Sequence, residues 1–168
     1  TVGALIPRKG QSFVIKALAQ LPEARLAVIG EGEDRAMLEK LAHDLDVAER
    51  VHFLGALPHQ EIAHYLQAAD IAILPSSSEG LANAWIEALA CGTPLVITDT
   101  GGAREVMTSA ACGRIVNREA KAIAAAVHEL LASPPHRENV AATVADYSWQ
   151  ANGTALLAHW RHMLRADA

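Results

Sequence analysis

The sequence predicts an α/β protein, a Rossmann-like doubly wound parallel sheet of about six strands in a three-layer α/β/α arrangement. Short β-branched runs alternate with helix-patterned stretches along the chain, the rhythm of a parallel sheet with covering helices. The runs themselves, such as ILPS and PLVIT, are nearly continuous in apolar character, so both sheet faces are expected to be covered.

Taken in order, strands are expected over 2–6, 25–29, 51–54, 71–74, 95–98 and 114–116. The opening TVGALI is already strand-like, which points to an excised domain or a longer parent chain. Helices are expected over 11–20 and 34–46, where Val14, Leu18 and Leu21, then Met37, Leu38, Leu41 and Leu45, form inward stripes. Helices over 58–68, 83–91 and 103–107 continue the alternation, and 119–131, 135–147 and 149–165 follow the last strand.

The 168 residues suit one domain with a full core, and 51% are hydrophobic. A net charge of -5 argues against a dedicated nucleic-acid binder, so any phosphate must be met locally. Cys91 and Cys112 have no CxxC spacing and read as reduced thiols. The eight histidines show no HExxH pattern, and no metal site is expected. No apolar run approaches the roughly 18–20 residues of a membrane span, and no signal peptide is seen. A cytoplasmic protein is expected.

Doubly wound sheets place ligands beyond the carboxyl ends of their strands, so the loops there carry the chemistry. Arg8-Lys9-Gly10 puts two cations before the first helix, an arrangement that suits a diphosphate, although an exposed basic turn has the same sequence. Gly30-Glu31-Gly32 is half of a dinucleotide fingerprint, but Arg35 stands where the third glycine belongs. A tight turn is the better reading, and no nicotinamide or flavin is expected. Ser76 to Gly80 precedes a helix whose first N–H groups, at about 82–85, are available to an anion. Glu79 stands at that mouth, where a carboxylate also complements the helix dipole. Glu87 is the only charge between Gly80 and Thr98, and burial is expected for it, at a cost that demands a partner. Vicinal hydroxyls of a ribose or sugar are natural partners for such a carboxylate. Gly101-Gly102 admits either a plain turn or a close approach to a ligand.

In succession, VGALIPRKG, VIGEGEDRAML, VHFLGALPHQEI, ADIAILPSSSEG, the Glu79-x7-Glu87 pair, EALACGTPLVITDTGGARE and a late YSW form a recognisable pattern. It resembles the C-terminal, donor-binding domain of a GT-B glycosyltransferase of family 4, the group 1 glycosyltransferases. The resemblance covers nearly the whole chain, read as one donor-binding domain over 1–168 without its N-terminal acceptor domain.

It implies retaining, metal-independent transfer of a hexose from a nucleoside diphosphate sugar to a glycan or lipid-linked acceptor, as in lipopolysaccharide or exopolysaccharide synthesis. Lys9 and Glu79 are implied as catalytic, at the diphosphate and beside the transferred sugar. Donor binding is implied for Arg8, Gly80, Leu81, Ala82, Asn83 and Glu105, for Glu87 at the ribose, for Gly55 and Leu57 at the base, and for Gly30 with them. Ala4 departs from the pattern, since many relatives carry arginine there, and Arg8 is the candidate substitute. Ala82 departs too, where relatives have Gly or Pro. The alternative is a nucleotide-sugar binding module without catalysis. The resemblance further implies that the isolated domain is inactive, and that the full-length protein associates with the inner face of the cytoplasmic membrane. Trp149, Leu156, Trp160 and Leu164 on the last helix are expected either in the core or as an apolar face, the latter open to homodimerisation.

Overall fold

The structure, a computed structural model, describes residues 1–166. Helices α1 (Gln11–Leu18), α2 (Arg35–Asp44), α3 (His59–Ala68), α4 (Asn83–Ala90) and α5 (Ala103–Val106) alternate with strands β1 (Leu26–Ile29), β2 (Val51–Gly55), β3 (Ala72–Leu74) and β4 (Leu95–Thr98). Strand β5 (Gly113–Val116) is followed by α6 (Ala120–Ala132), α7 (Arg137–Ala142) and α8 (Trp149–Ala166). All strand pairs are parallel, as the βα rhythm predicts.

The strands form two sheets, β1-β2 and β3-β4-β5, where one sheet of about six is expected. The difference lies in residues 1–5. Thr1 and Gly3 hydrogen-bond along β1, and Val2 bridges to Ile29, yet no strand develops. Gly3 takes φ 142, which takes the backbone out of strand geometry, and Pro7, lacking an N–H, starts a 3-10 turn over Pro7–Lys9. Val2 nevertheless packs on the core of the second sheet while bridging to the first, so this segment ties the sheets together.

Burial follows the apolar runs. All four residues of β4 are buried. On one face Leu74, Leu95 and Ile97 meet Trp85, Ala88 and Leu89 of α4, and on the other Val96 meets Ile123 and Val127 of α6. A third cluster joins Val28 of β1 to Leu5, Ile15 and Leu38. Coverage of both faces is what a continuous apolar strand requires.

One helix differs from expectation, and another takes one of the two arrangements expected for it. The stretch 135–147 is helical only at Arg137–Ala142, where Arg137 reaches out to the carbonyls of Gln67 and Ala69 and closes the end of α3. Helix α8 leaves the core: Trp149 is 87% exposed, and Leu156, Trp160 and Leu164 are exposed with it. Among the described residues no helix is long and apolar enough to cross a membrane.

These burials set an expected contrast in urea unfolding. Trp85→Ala, at a site 1% exposed, lowers the unfolding free energy by about 3–5 kcal/mol. Trp149→Ala changes it by less than about 0.5 kcal/mol.

Candidate functional site

The loops after the strands meet at one end of the sheet. Backbone geometry sets the first contact: Ser77 N–H donates to the Arg8 carbonyl at 2.8 Å, joining the Pro7–Lys9 turn to the loop after β3. Lys9 Nζ donates to Glu79 Oε1 at 2.6 Å, and Arg8 Nη1 lies 3.4 Å from Glu79 Oε2. The same Arg8 nitrogen donates to the Ser78 carbonyl at 2.6 Å. Arg8 thus spans the loop that carries Glu79. Burial pushes the Glu79 carboxyl up, and the Lys9 ammonium, the Ser76 hydroxyl and the Arg8 guanidinium outweigh it, holding the group below its ordinary value.

The loop continues into α4 past Gly80. A Cβ added to Gly80 meets nothing within 4 Å, so its backbone is open to an approaching group. Behind it, Gly102 N–H donates to the Gly80 carbonyl at 2.9 Å, and a side chain at Gly101 would strike the backbone of Glu79 and Gly80. Of the N–H groups expected to be available at 82–85, that of Trp85 is already bonded to the Ala82 carbonyl at 3.0 Å. Those of Asn83 and Ala84, in the first turn, have no acceptor within the helix.

Glu87 is half-buried rather than buried. The reason is a groove of ≈ 940 Å³ between α4 and the start of α8, into which Leu81, Asn83 and Glu87 project beside His59, Tyr147 and Trp149. The carboxylate avoids the full desolvation cost by facing this space. Leu81, in the loop that carries Glu79, and Asn83, the first residue of α4, both line the groove, so the ion cluster and the groove are joined by one short segment.

The other candidates separate into two groups. Glu105 is exposed beside Gly102, and its carbonyl accepts a bond from Tyr147 Oη at 3.4 Å. Gly55 and the half-buried Leu57 stand at the end of β2, where Arg35 pairs with Glu31 at 2.5 Å and lies 5.9 Å from the Phe53 ring. Gly30 makes its contacts with Gly3 and Gly55. Its N–H donates to the Gly55 carbonyl, and a side chain there would run into the backbone of Gly3. Among the described residues no group of three or more His, Cys, Asp or Glu could hold a metal ion. Both cysteines are free thiols, with Cys112 buried.

Three residues of this region have no assigned role in the sequence. His59 is one of eight histidines without a motif, and Tyr147, although part of the YSW pattern, is expected in a helix that does not extend so far. Arg118, just after β5, is not singled out in the sequence, yet its guanidinium donates to the Pro75 carbonyl at 2.8 Å and the Pro7 carbonyl at 2.5 Å. No sequence signal marks it, because its partners are carbonyls, which every residue has.

Residues 1–145 match the family of glycosyl transferases group 1. The chain is 34% identical over 168 residues to the GDP-mannose-dependent monoacylated alpha-(1-6)-phosphatidylinositol monomannoside mannosyltransferase of Corynebacterium glutamicum, covering 90% of this chain and 44% of that protein. Among solved structures it is similar to sucrose-phosphate synthase from Thermosynechococcus elongatus, at 28% identity and TM-score 0.88, over 98% of this chain and 45% of the other. It is also similar to HepE of Anabaena in complex with UDP-glucose, at 25% identity and TM-score 0.81, over 98% of this chain and 48% of the other. The chain spans about half the length of the relatives it matches.

The ion cluster has a pH signature. Because the folded-state pKa of Glu79 lies below its ordinary 4.5, the pairing stabilises the fold above that value and is lost as pH falls through the folded pKa. The unfolding free-energy gap between the unaltered chain and Lys9→Met is therefore expected to be largest near neutrality and to narrow as pH falls below the ordinary carboxylate value, in urea titrations.

Proposed function

This chain belongs to the glycosyl transferases group 1 family, and from that premise we propose that it is the donor-binding half of a glycosyltransferase. The reaction proposed is transfer of a hexose from a nucleoside diphosphate sugar to a glycan or lipid-linked acceptor, with retention of configuration. The observation that carries this reading is the convergence of Lys9 and Arg8 on Glu79, beside the open backbone of Gly80 and the first turn of α4.

The chemistry follows from those positions. When the bond from the sugar C1 to the phosphate oxygen breaks, negative charge builds on the leaving diphosphate. Lys9 and Arg8 neutralise it, and the N–H groups of Asn83 and Ala84 add oriented donors, so the leaving group needs no metal ion. Glu79 stands in as the anion that keeps both cations facing one way before donor arrives, and it accepts hydrogen bonds from hydroxyls of the transferred sugar afterwards. Glu87, facing the groove, accepts two hydrogen bonds from the ribose diol. Gly55 and Leu57 border the base. Glu105 bounds the site from the turn after β4.

Arg8 supplies the second cation that Ala4 does not. Its reach to both Ser78 and Glu79 supports that substitution. The half of the relatives' length that this chain does not cover is assigned to an N-terminal acceptor domain, and the exposed apolar face of α8 to contact with it rather than with a second copy. Because the Corynebacterium relative is named for a phosphatidylinositol mannoside, a lipid-linked acceptor at the inner face of the cytoplasmic membrane is proposed for the parent protein. The second reading, a binding module without turnover, rests on Ala4. It predicts donor binding but no transfer by the complete gene product.

Titration of the chain with UDP, GDP and ADP tests the reading, and no binding at millimolar ligand would sink it. Lys9→Ala is expected to weaken nucleoside diphosphates by about ten-fold or more while leaving nucleosides within two-fold of the unaltered chain. Glu87→Gln is expected to weaken ribonucleotides and to leave 2',3'-dideoxynucleotides unaffected. Equal losses for both sugars would remove Glu87 from the ribose.

A further inference from the structure

Arg118 lies outside every stretch assigned to the donor, 43 residues from Pro75 and 111 from Pro7, yet it holds both. Nε donates to the Pro75 carbonyl at 2.8 Å, and Nη2 donates to the carbonyls of Pro7 at 2.5 Å and Arg8 at 3.1 Å. The guanidinium carbon lies 4.8 Å from the centre of the Phe13 ring, within reach of its face. Gly10, at φ 75, leaves the room for this: a Cβ there would stand 2.5 Å from the Pro75 carbonyl oxygen and 3.1 Å from Arg118 Nη2. Three carbonyls, one ring and one missing side chain thus surround a single guanidinium.

We infer that Arg118 is a positioning residue: it locks the Pro7–Lys9 turn against the start of the loop that carries Glu79, and so sets where Arg8 and Lys9 point. This inference rests on the donor reading only for its consequence in binding. Its geometry stands without it.

The alternative tether is weak. Apart from Arg118 and the two cations themselves, the turn and the loop are joined by Ser77, through its N–H to the Arg8 carbonyl at 2.8 Å and its hydroxyl to the same oxygen at 3.4 Å. Both bonds end on one atom, so by themselves they do not set the turn's orientation about it. The planar guanidinium donates to the Pro7 carbonyl in the turn and the Pro75 carbonyl in the loop, as well as to the Arg8 carbonyl at the pivot, and so restrains the rotation. Nε and Nη2 are both directed to these carbonyls, so the role inferred for Arg118 is exerted through Arg8 and Lys9. A lysine cannot reproduce this, because an ammonium lacks the flat fork that reaches both segments.

Arg118→Gln and Arg118→Lys test it by two readouts that loss of general stability does not produce. The first needs no ligand: the Glu79 carboxyl is followed by 13C NMR titration, and in both variants its pKa is expected to rise toward the ordinary value as Lys9 and Arg8 lose their fixed approach. The second is affinity. Both variants are expected to bind UDP, GDP and ADP about ten-fold more weakly and the matching nucleosides within two-fold.

Arg118→Lys with unaltered diphosphate affinity and unaltered Glu79 titration would show that only the charge matters, and would overturn the inference. A nucleoside loss equal to the diphosphate loss would overturn it as well. Phe13→Leu keeps the three carbonyls and removes the ring, so an intermediate effect is expected from it, and it carries the test if the Arg118 variants do not fold. If the unaltered chain binds no nucleoside diphosphate, the donor reading falls, and the Glu79 titration decides the positioning role by itself.

Discussion

The site depends on holding two cations against one carboxylate across a separation of 70 residues in sequence. Like charges at Arg8 and Lys9 repel, and Glu79 loses solvation where it sits, so neither segment adopts this geometry alone. What stabilises it is mutual: the cations lower the cost of the half-buried carboxylate, and the carboxylate offsets their repulsion. The backbone of the loop after β3 is backed by Gly101, which approaches Glu79 and Gly80 too closely for a side chain, and by Gly102, whose N–H donates to the Gly80 carbonyl.

That cluster sits where the fold concentrates unsatisfied backbone. Parallel strands all end on one edge, and helices begin there, so N–H groups and loop glycines collect beyond the carboxyl ends of β1 to β4. The sheet beneath is rigid, with β4 buried along its whole length and α4 and α6 packed on opposite faces. A rigid floor under open loops suits anion binding, since the donors are fixed before the ligand arrives. The groove beside α4 extends the same edge, and Glu87 uses it to keep its carboxylate solvated.

Much of the fold was legible from the strand runs, because an apolar run without alternation has one good solution, a strand covered on both faces. The first run failed for a local reason, Gly3 at φ 142 followed by Pro7, and its five residues became a link between two sheets. The helix expected over 135–147 failed for a tertiary one: α7 is short, and Arg137 turns to close the end of α3. The polar residues of the site were legible as types at loop positions, but their pairing was not. Glu87 shows the limit well, since a single charge in an apolar stretch reads as buried, and only the groove lets it remain half-exposed.

The sequence by itself determined the βα order, the covered sheet and the loops that bear Arg8, Lys9, Glu79, Gly80 and Glu87, because periodicity and residue type are local properties of the chain. Only the tertiary structure decided that Lys9 meets Glu79, that Gly30 packs on Gly3, and that Arg118 joins Pro7 to Pro75. Those contacts are made between distant segments, largely through carbonyls and absent side chains. Neither leaves a mark on the pattern of residue types, so no reading of one chain could have supplied them.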